Sequence, residues 1–301
     1  MQYNQRTIVK PISCSGVGVH SGKEVKLTIK PAPANHGIKF VRIDLPASPE
    51  IPALFNMVVD TSLATVIGNE GVIVSTIEHM MACLAGFSIE NALIELDNYE
   101  MPILDGSSAV YAKMIKEAGI QELPEPRYFF IVNKPIELKE NDKSVIAYPS
   151  STRKITCTID FPHPLIQTQT LSLTLTDEVF DQEISKARTF GFLHEIEYLK
   201  QYGLARGASL ETGVAIDETK ILNKEGLRFA DEFVRHKILD CIGDFSLLGM
   251  PILGHIVTNK SGHAFNHAFL QTFFENKDSW DTRPIEDFSG NDALSSKSLA
   301  I

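Results

Sequence analysis

The chain repeats a pattern on itself. Displaced by 157 residues without a gap, His79 falls on His236, Gly86 on Gly243 and Gly106 on His263. Around these matches the same order runs twice: a helix-spaced apolar stretch, a strand-like stretch, a small-residue turn and another helix. Shared order over that length argues for duplication of one α/β unit. It restricts the fold to two similar units whose equivalent helices can pack together. At 301 residues and 44% hydrophobic content there is enough chain for two ordinary cores.

In the first unit "KEVKLTIKPA" and "NALIELD" read as strands, while "VSTIEHMMACLAGF" and "SAVYAKMIKEAGI" have helical spacing. In the second, "YFFIVNKPIEL", "SVIAYP", "KITCTIDF" and "LSLTLTD" read as strands and "DEFVRHKILDCIGDFSLLG" as a helix. The class is α+β, with helices that do not alternate strictly with single parallel strands. "QELPEPR", residues 121–127, carries two prolines among charges and reads as an extended boundary unsuited to helix or sheet. The expected domains are 1–122 and 128–278, followed by a polar, Ser-rich tail, 279–301, expected to be disordered.

The formal net charge of −10 argues against nucleic acid as a partner, since phosphate binding needs clustered Lys and Arg. No apolar run approaches the ~20 residues of a membrane helix, and "MQYNQRTIVK" lacks the apolar core of a signal peptide, so a cytoplasmic protein is expected. The four cysteines are scattered without CxxC spacing, which points to buried free thiols.

Positions i and i+4 of a helix share a face, so His236 and Asp240 in "FVRHKILDCIGD" point the same way. Such a pair either grips an ion or faces solvent. His79, the repeat equivalent of His236, sits on an otherwise apolar helix, where a histidine is either a satisfied core residue or a ligand. Its neighbour Glu78 occupies the place where zinc hydrolases often keep a general base. Two imidazoles and a carboxylate leave a fourth tetrahedral position for water, the composition of a catalytic zinc site. A proton donor is offered by His263 in "NKSGHAFNH", with Asp244, two turns beyond His236, to hold its imidazolium. His267 competes for that role. Thr189 in "SKARTFGF", beside Phe190, is either an oxyanion donor or the end of a strand.

Two Gly-containing stretches invite other readings. "GVGVHSGKEV" fails as a phosphate loop because three residues, not four, separate Gly18 from Gly22 and Glu24 follows Lys23; it reads as a turn between strands. "PILDGSS" reads as a tight turn capped by Asp105 ahead of a helix.

Taken in order, "GVGVHSGK", "STIEHMMACLAG", "MPILDGSS", "TIDFPHP", "ARTFGF", "GLRFADEFVRHKILDCIGD" and "SGHAFNH" resemble the UDP-3-O-acyl-N-acetylglucosamine deacetylase family, the zinc amidases of lipid A biosynthesis in Gram-negative bacteria. The likeness is collinear from about residue 5 to 275. It implies two duplicated sandwich domains of similar topology, each with a small insert, with the active site between them. It implies one Zn2+ per chain on His79, His236 and Asp240, with Glu78 as general base and His263 as general acid. Asp244 becomes the partner of His263, Thr189 the oxyanion donor, and Lys237 and Phe190 substrate contacts. The second insert, around Phe192 to Ala215, is implied to form a passage for the acyl chain lined by Ile196, Ala208, Ser209, Leu210 and Gly213. The implied reaction is hydrolysis of the substrate's N-acetyl group to acetate and the free amine, by a monomer.

Two readings compete with it. A metal-free nucleotide- or RNA-binding module built from the duplicated halves would leave the histidines structural, and a small-molecule kinase would use the Gly-rich turn. The acidic charge disfavours RNA and the glycine spacing disfavours the kinase.

Overall fold

The computed structural model describes residues 3–285. Its first part runs β1 (Asn4–Ile8), β2 (Ile12–Val17), β3 (Glu24–Pro31), β4 (Ile38–Arg42), β5 (Glu50–Pro52), β6 (Val58–Asp60), β7 (Val66–Asn69), β8 (Val72–Val74), α1 (Glu78–Gly86), β9 (Ala92–Leu96), α2 (Ala109–Ala118) and β10 (Ile120–Pro126). The second runs β11 (Tyr128–Val132), β12 (Ile136–Glu140), β13 (Lys143–Tyr148), β14 (Arg153–Phe161), β15 (Gln167–Thr174), the short α3 (Asp177–Val179), β16 (Phe190–Phe192), α4 (Leu193–Gln201), β17 (Val214–Ile216), α5 (Glu232–Ser246), β18 (Ile252–Asn259), α6 (His263–Glu275) and β19 (Trp280–Pro284). The protein is α+β, with several separate sheets.

Two sheets carry the architecture, and their strand orders match. In the first, β2-β3-β9-β4-β5 are neighbours, all antiparallel except β4 with β9. In the second, β12-β13-β18-β14-β15 repeat the same senses, with β14 parallel to β18. The central strand in each case follows one helix and precedes another: α1 and α2 flank β9, α5 and α6 flank β18. Alternation decides which face is buried. Val25, Leu27 and Ile29 of β3 point into the core and Lys26, Thr28 and Lys30 do not; Ile155, Cys157 and Ile159 do the same for β14.

Helices α1 and α5 are buried nearly all round, α5 with charged residues among its buried side chains, and pack against each other. Gly243 permits the close approach, because a Cβ there would lie 2.2 Å from the carbonyl oxygen of Glu78. Gly86, its repeat equivalent, lies against the ring of Phe180 instead.

Three sequence expectations are corrected. Residues 121–127 are not an unpaired boundary: Ile120–Pro126 is β10, antiparallel to β1. The pair forms a two-stranded ribbon, where a proline's missing N–H need not interrupt a further neighbour. "YFFIVNKPIEL" is two strands, β11 and β12, broken at Asn133 and Lys134, whose N–H groups donate to Ser279 O. The tail does not become irregular at 279, since β19 pairs with β11 and Trp280 anchors it against Phe130 and Phe273 while donating Nε1–H to Phe273 O at 2.8 Å. The remainder of that expected disorder, 286–301, lies outside the described residues. All four cysteines are free, as expected; three are buried and Cys14 is half-buried.

Candidate metal centre and its cavity

The polar residues of α1 and α5 converge where the two helices meet. His79 enters from the first turn of α1, His236 and Asp240 from successive turns of α5, and all three are at least 95% buried. One donor atom of each lies within 4.8 Å of the others. The imidazole rings stand edge to face with centroids 5.0 Å apart. Asp240 Oδ1 lies 3.3 Å from His236 Nε2 and 3.8 Å from His79 Nε2, yet accepts no hydrogen bond. A buried carboxylate oxygen without a donor is costly unless a cation satisfies it. Two nitrogen donors and one carboxylate oxygen suit zinc, so the residues present fit that ion.

The protonation states agree with that use. Burial, then the neighbouring His236, pushes the His79 imidazole down to about 3, and burial also lowers His236. Both rings are therefore neutral near pH 7. His236 Nδ1 lies 3.1 Å from Ala187 O, which places the proton on Nδ1 and leaves Nε2 its lone pair. Burial alone would raise the Asp240 carboxyl, but His236 and Lys237 overcome it and keep the group ionised. Lys237 donates Nζ–H to Asp240 Oδ2 at 2.9 Å and lies 6.0 Å from the centre of the Phe190 ring.

A cavity of about 500 Å³ opens over this cluster. Its walls include Glu78, His79, Thr189, Phe190, His236, Lys237, Asp240 and His263, so the expected residues on both helices reach one space. Burial raises the Glu78 carboxyl to about 7, with His263 opposing and Asp240 and Asp244 reinforcing the shift. His263, at the first position of α6, responds the other way. Burial would lower it, but Asp244, whose Oδ2 lies 2.9 Å from Nδ1, together with Glu78 and Asp240 outweighs burial and carries it to about 10. Asp244 does not line the cavity and acts through His263. His267, the competing candidate, lies away from it and accepts a hydrogen bond from Gln271 at 3.3 Å.

Beyond His79, His236 and Asp240 the cavity continues between β16, α4 and β17. Ile196, Ala208, Ser209 and Gly213 line it, together with Leu199 and Val214. Leu210 does not: it is 45% exposed and outside the wall, because the turn over 209–212, closed by Thr212 N–H to Ser209 O, carries it outward. Thr189 is fixed at both backbone groups, its N–H donating to Gly106 O and its carbonyl accepting from Val214 N–H. Asp105 holds its turn by accepting from Ser107 N–H, as expected.

Sequence reasoning missed two positioning devices. Thr65 donates its backbone N–H to Glu78 Oε2 at 3.0 Å and its hydroxyl to Asp244 Oδ1 at 2.6 Å. It belongs to no periodic segment, and only a polar residue within an apolar "LATVI" hints at it. Arg188 and Glu232, both nearly fully buried, form a multiple ion pair that ties the chain beside Ala187 and Thr189 to the first turn of α5. Their spacing of 44 residues leaves no local signal.

Comparison with known proteins gives a consistent likeness. Residues 5–275 match the family model described as LpxC, UDP-3-O-acyl N-acetylglycosamine deacetylase. A UDP-3-O-acyl-N-acetylglucosamine deacetylase of Myxococcus xanthus (strain DK1622) is 53% identical over 269 residues, 89% of this chain and 86% of that one. Proteins of the same name from Anaeromyxobacter dehalogenans (strain 2CP-C) and Syntrophus aciditrophicus (strain SB) are 47% and 45% identical, over 89% and 93% of this chain and 87% and 89% of theirs.

Proposed function

The chain belongs to the UDP-3-O-acyl-N-acetylglucosamine deacetylase family, and from that premise we propose which residues carry the reaction and how. The reaction is deacetylation of UDP-3-O-acyl-N-acetylglucosamine in lipid A biosynthesis, and the family is zinc-dependent. His79, His236 and Asp240 would hold one zinc per chain, which would supply a Lewis acid at the reacting carbonyl and water. Glu78 removes the proton of the attacking water. His263, held protonated by Asp244, delivers a proton to the departing glucosamine nitrogen. Thr189 donates its hydroxyl to the oxygen of the tetrahedral intermediate. Lys237 and Phe190 contact the substrate beside the metal, and the acyl chain runs past Ile196, Ala208, Ser209 and Gly213.

The observation that carries this assignment is the pairing of two oppositely employed groups around one donor cluster. Glu78, a carboxyl raised to about 7, and His263, an imidazole raised to about 10, both face the cavity that His79, His236 and Asp240 line. Environments that keep a base ionisable and an acid protonated near neutrality suit general acid–base catalysis. The matching strand orders support duplicated sandwich domains close to 1–122 and 128–278, the first extended through β10 and the second through β19, with the site between them and an insert in each. Among the described residues no helix is long and apolar enough to cross a membrane, and we assign the protein to the cytoplasm as a monomer. A metal-free nucleotide- or RNA-binding role leaves the donorless oxygen of Asp240 unexplained.

The test measures zinc content and acetate release together on wild type and His236→Ala. Loss of both in the variant is expected. A variant that keeps stoichiometric zinc would remove His236 from the ligand set, and one that keeps full acetate release without metal would overturn the mechanism.

A further inference from the structure

A second cavity, of about 200 Å³, is lined by another face of the same two helices, and no residue lines both cavities. Met81 and Leu84 of α1 and Ile242 and Phe245 of α5 give it apolar walls. Its charged lining is mainly cationic: Arg127, Arg153, Lys154 and Lys39, against the single acid Glu90 among the described residues. Arg127 is in contact with Glu90, and Lys39 pairs with Glu50. Arg153 has no such counterpart. Glu90 and Asp177 are the acids whose charge it feels, but Glu90 is engaged by Arg127, and Asp177 by Arg6 and Ser88. Among the described residues its guanidinium forms no hydrogen bond or ion pair. Burial, then repulsion from Arg127, lowers it to about 9. A guanidinium taken partly out of water without an anion is unfavourable, and a carboxylate, which matches its planar fork with two parallel hydrogen bonds, removes that cost.

We infer that this cavity is a binding site for a small amphipathic monocarboxylate, its headgroup on Arg153 and its hydrocarbon chain along Met81, Leu84, Ile242 and Phe245. Arg153 and Lys154 are the lining cations with no ion pair among the described residues, and Arg153 is the one that burial penalises, so one carboxylate on its guanidinium answers the cost; the apolar walls call for a tail. An apolar cavity of roughly 150 Å³ holds benzene, so this one takes a chain of about six to eight carbons.

Met81 and Met250 line this cavity, whereas no methionine lines the one over the metal ligands. Their methyl resonances therefore report on this site alone, even if the same ligand also enters the acyl passage. Zinc-loaded full-length protein labelled with 13C-methyl methionine is titrated with octanoate. Saturable shifts of Met81 and Met250 are expected, weakened at least about tenfold in Arg153→Gln, and absent with octanol or inorganic phosphate at the same concentrations. Ala85→Leu, which fills the cavity without altering charge, is expected to abolish them and serves alone if Arg153→Gln does not fold. No shift up to the solubility limit of octanoate overturns the inference. So does equal affinity in Arg153→Gln, an undiminished response in Ala85→Leu, or a response to phosphate or octanol.

Discussion

Thr65 and Asp244 are joined by a 2.6 Å hydrogen bond from the threonine hydroxyl to Oδ1, and the backbone N–H of the same threonine donates to Glu78. One residue thus orients both the proposed base and the partner of the proposed acid. Thr65→Val removes the hydroxyl and keeps the N–H. A hydrogen bond to a charged group contributes about 1.5–3 kcal/mol, so kcat should fall about tenfold to a hundredfold while zinc content and KM hold. Asp244, freed of one donor, should hold the His263 imidazolium more strongly and move the alkaline limb of the pH profile upward. Thr65→Ser should restore both; steady-state kinetics across pH decides.

The profile of kcat/KM against pH should be a bell. Its rising limb belongs to Glu78, raised to about 7 and active when ionised; its falling limb belongs to His263, raised to about 10 and active when protonated. Bound zinc, being positive, lowers the Glu78 limb. Glu78→Gln and His263→Gln should each cost about 10²–10⁴ in kcat, and the residual activity of His263→Gln should lose the alkaline limb.

Stability should also respond to pH through His263. Because its folded pKa is raised above the ordinary 6.5, its contribution is full below that value and is lost as pH rises through about 10. Asp244→Asn removes the foremost of the charges that raise it, ahead of Glu78 and Asp240. Urea unfolding of the variant should therefore show a shallower loss of stability between neutrality and pH 10, a window in which Glu78 adds little further dependence.

Metal removal should be reversible and selective. Chelation should abolish acetate release and added zinc should return it. Asp240→Asn keeps the shape of the side chain but loses the charge, so it should bind zinc at least about tenfold more weakly and leave Lys237 without its anionic partner. Metal analysis after dialysis checks this.

The helix contact should tolerate no side chain at Gly243. A Cβ there meets the Glu78 backbone oxygen, which cannot swing aside as a flexible side chain can. Gly243→Ala should cost about 1–3 kcal/mol by urea unfolding and lower kcat as well, since Glu78 and His79 ride on the displaced turn.

The proposed acyl passage should respond to Ile196→Trp and ignore Leu210→Ala. Ile196 lines the cavity and Leu210 is exposed. Competition between short- and long-chain substrates should favour the shorter in Ile196→Trp and stay unchanged in Leu210→Ala.

What the sequence made legible follows from how local each signal was. His236 and Asp240 stood out because helical spacing alone puts them on one face, and His79 because the repeat carried it to the same place. Strand alternation in β3 and β14 was equally local. Thr65 was invisible: its two acceptors lie 13 and 179 residues away, and only folding brings them within reach. Leu210 was misplaced because a turn, which sequence spacing does not orient, points it outward. The prolines of β10 suggested a break where the chain forms a ribbon, since their cost depends on whether a neighbour needs the missing N–H. Trp280 held β19 in place through aromatic contacts made across the fold.

The proposed ligands are divided between α1 and α5, one on the first helix and two on the second, with 156 residues of chain between His79 and its nearer partner. An ion held there acts as a clasp. It joins distant parts of the polypeptide that otherwise meet through apolar packing and a few polar contacts such as Thr65 with Asp244, so its affinity is also folding free energy. Zinc supply and resistance to unfolding then become one quantity, and a cell short of the metal would lose the protein's durability along with its chemistry.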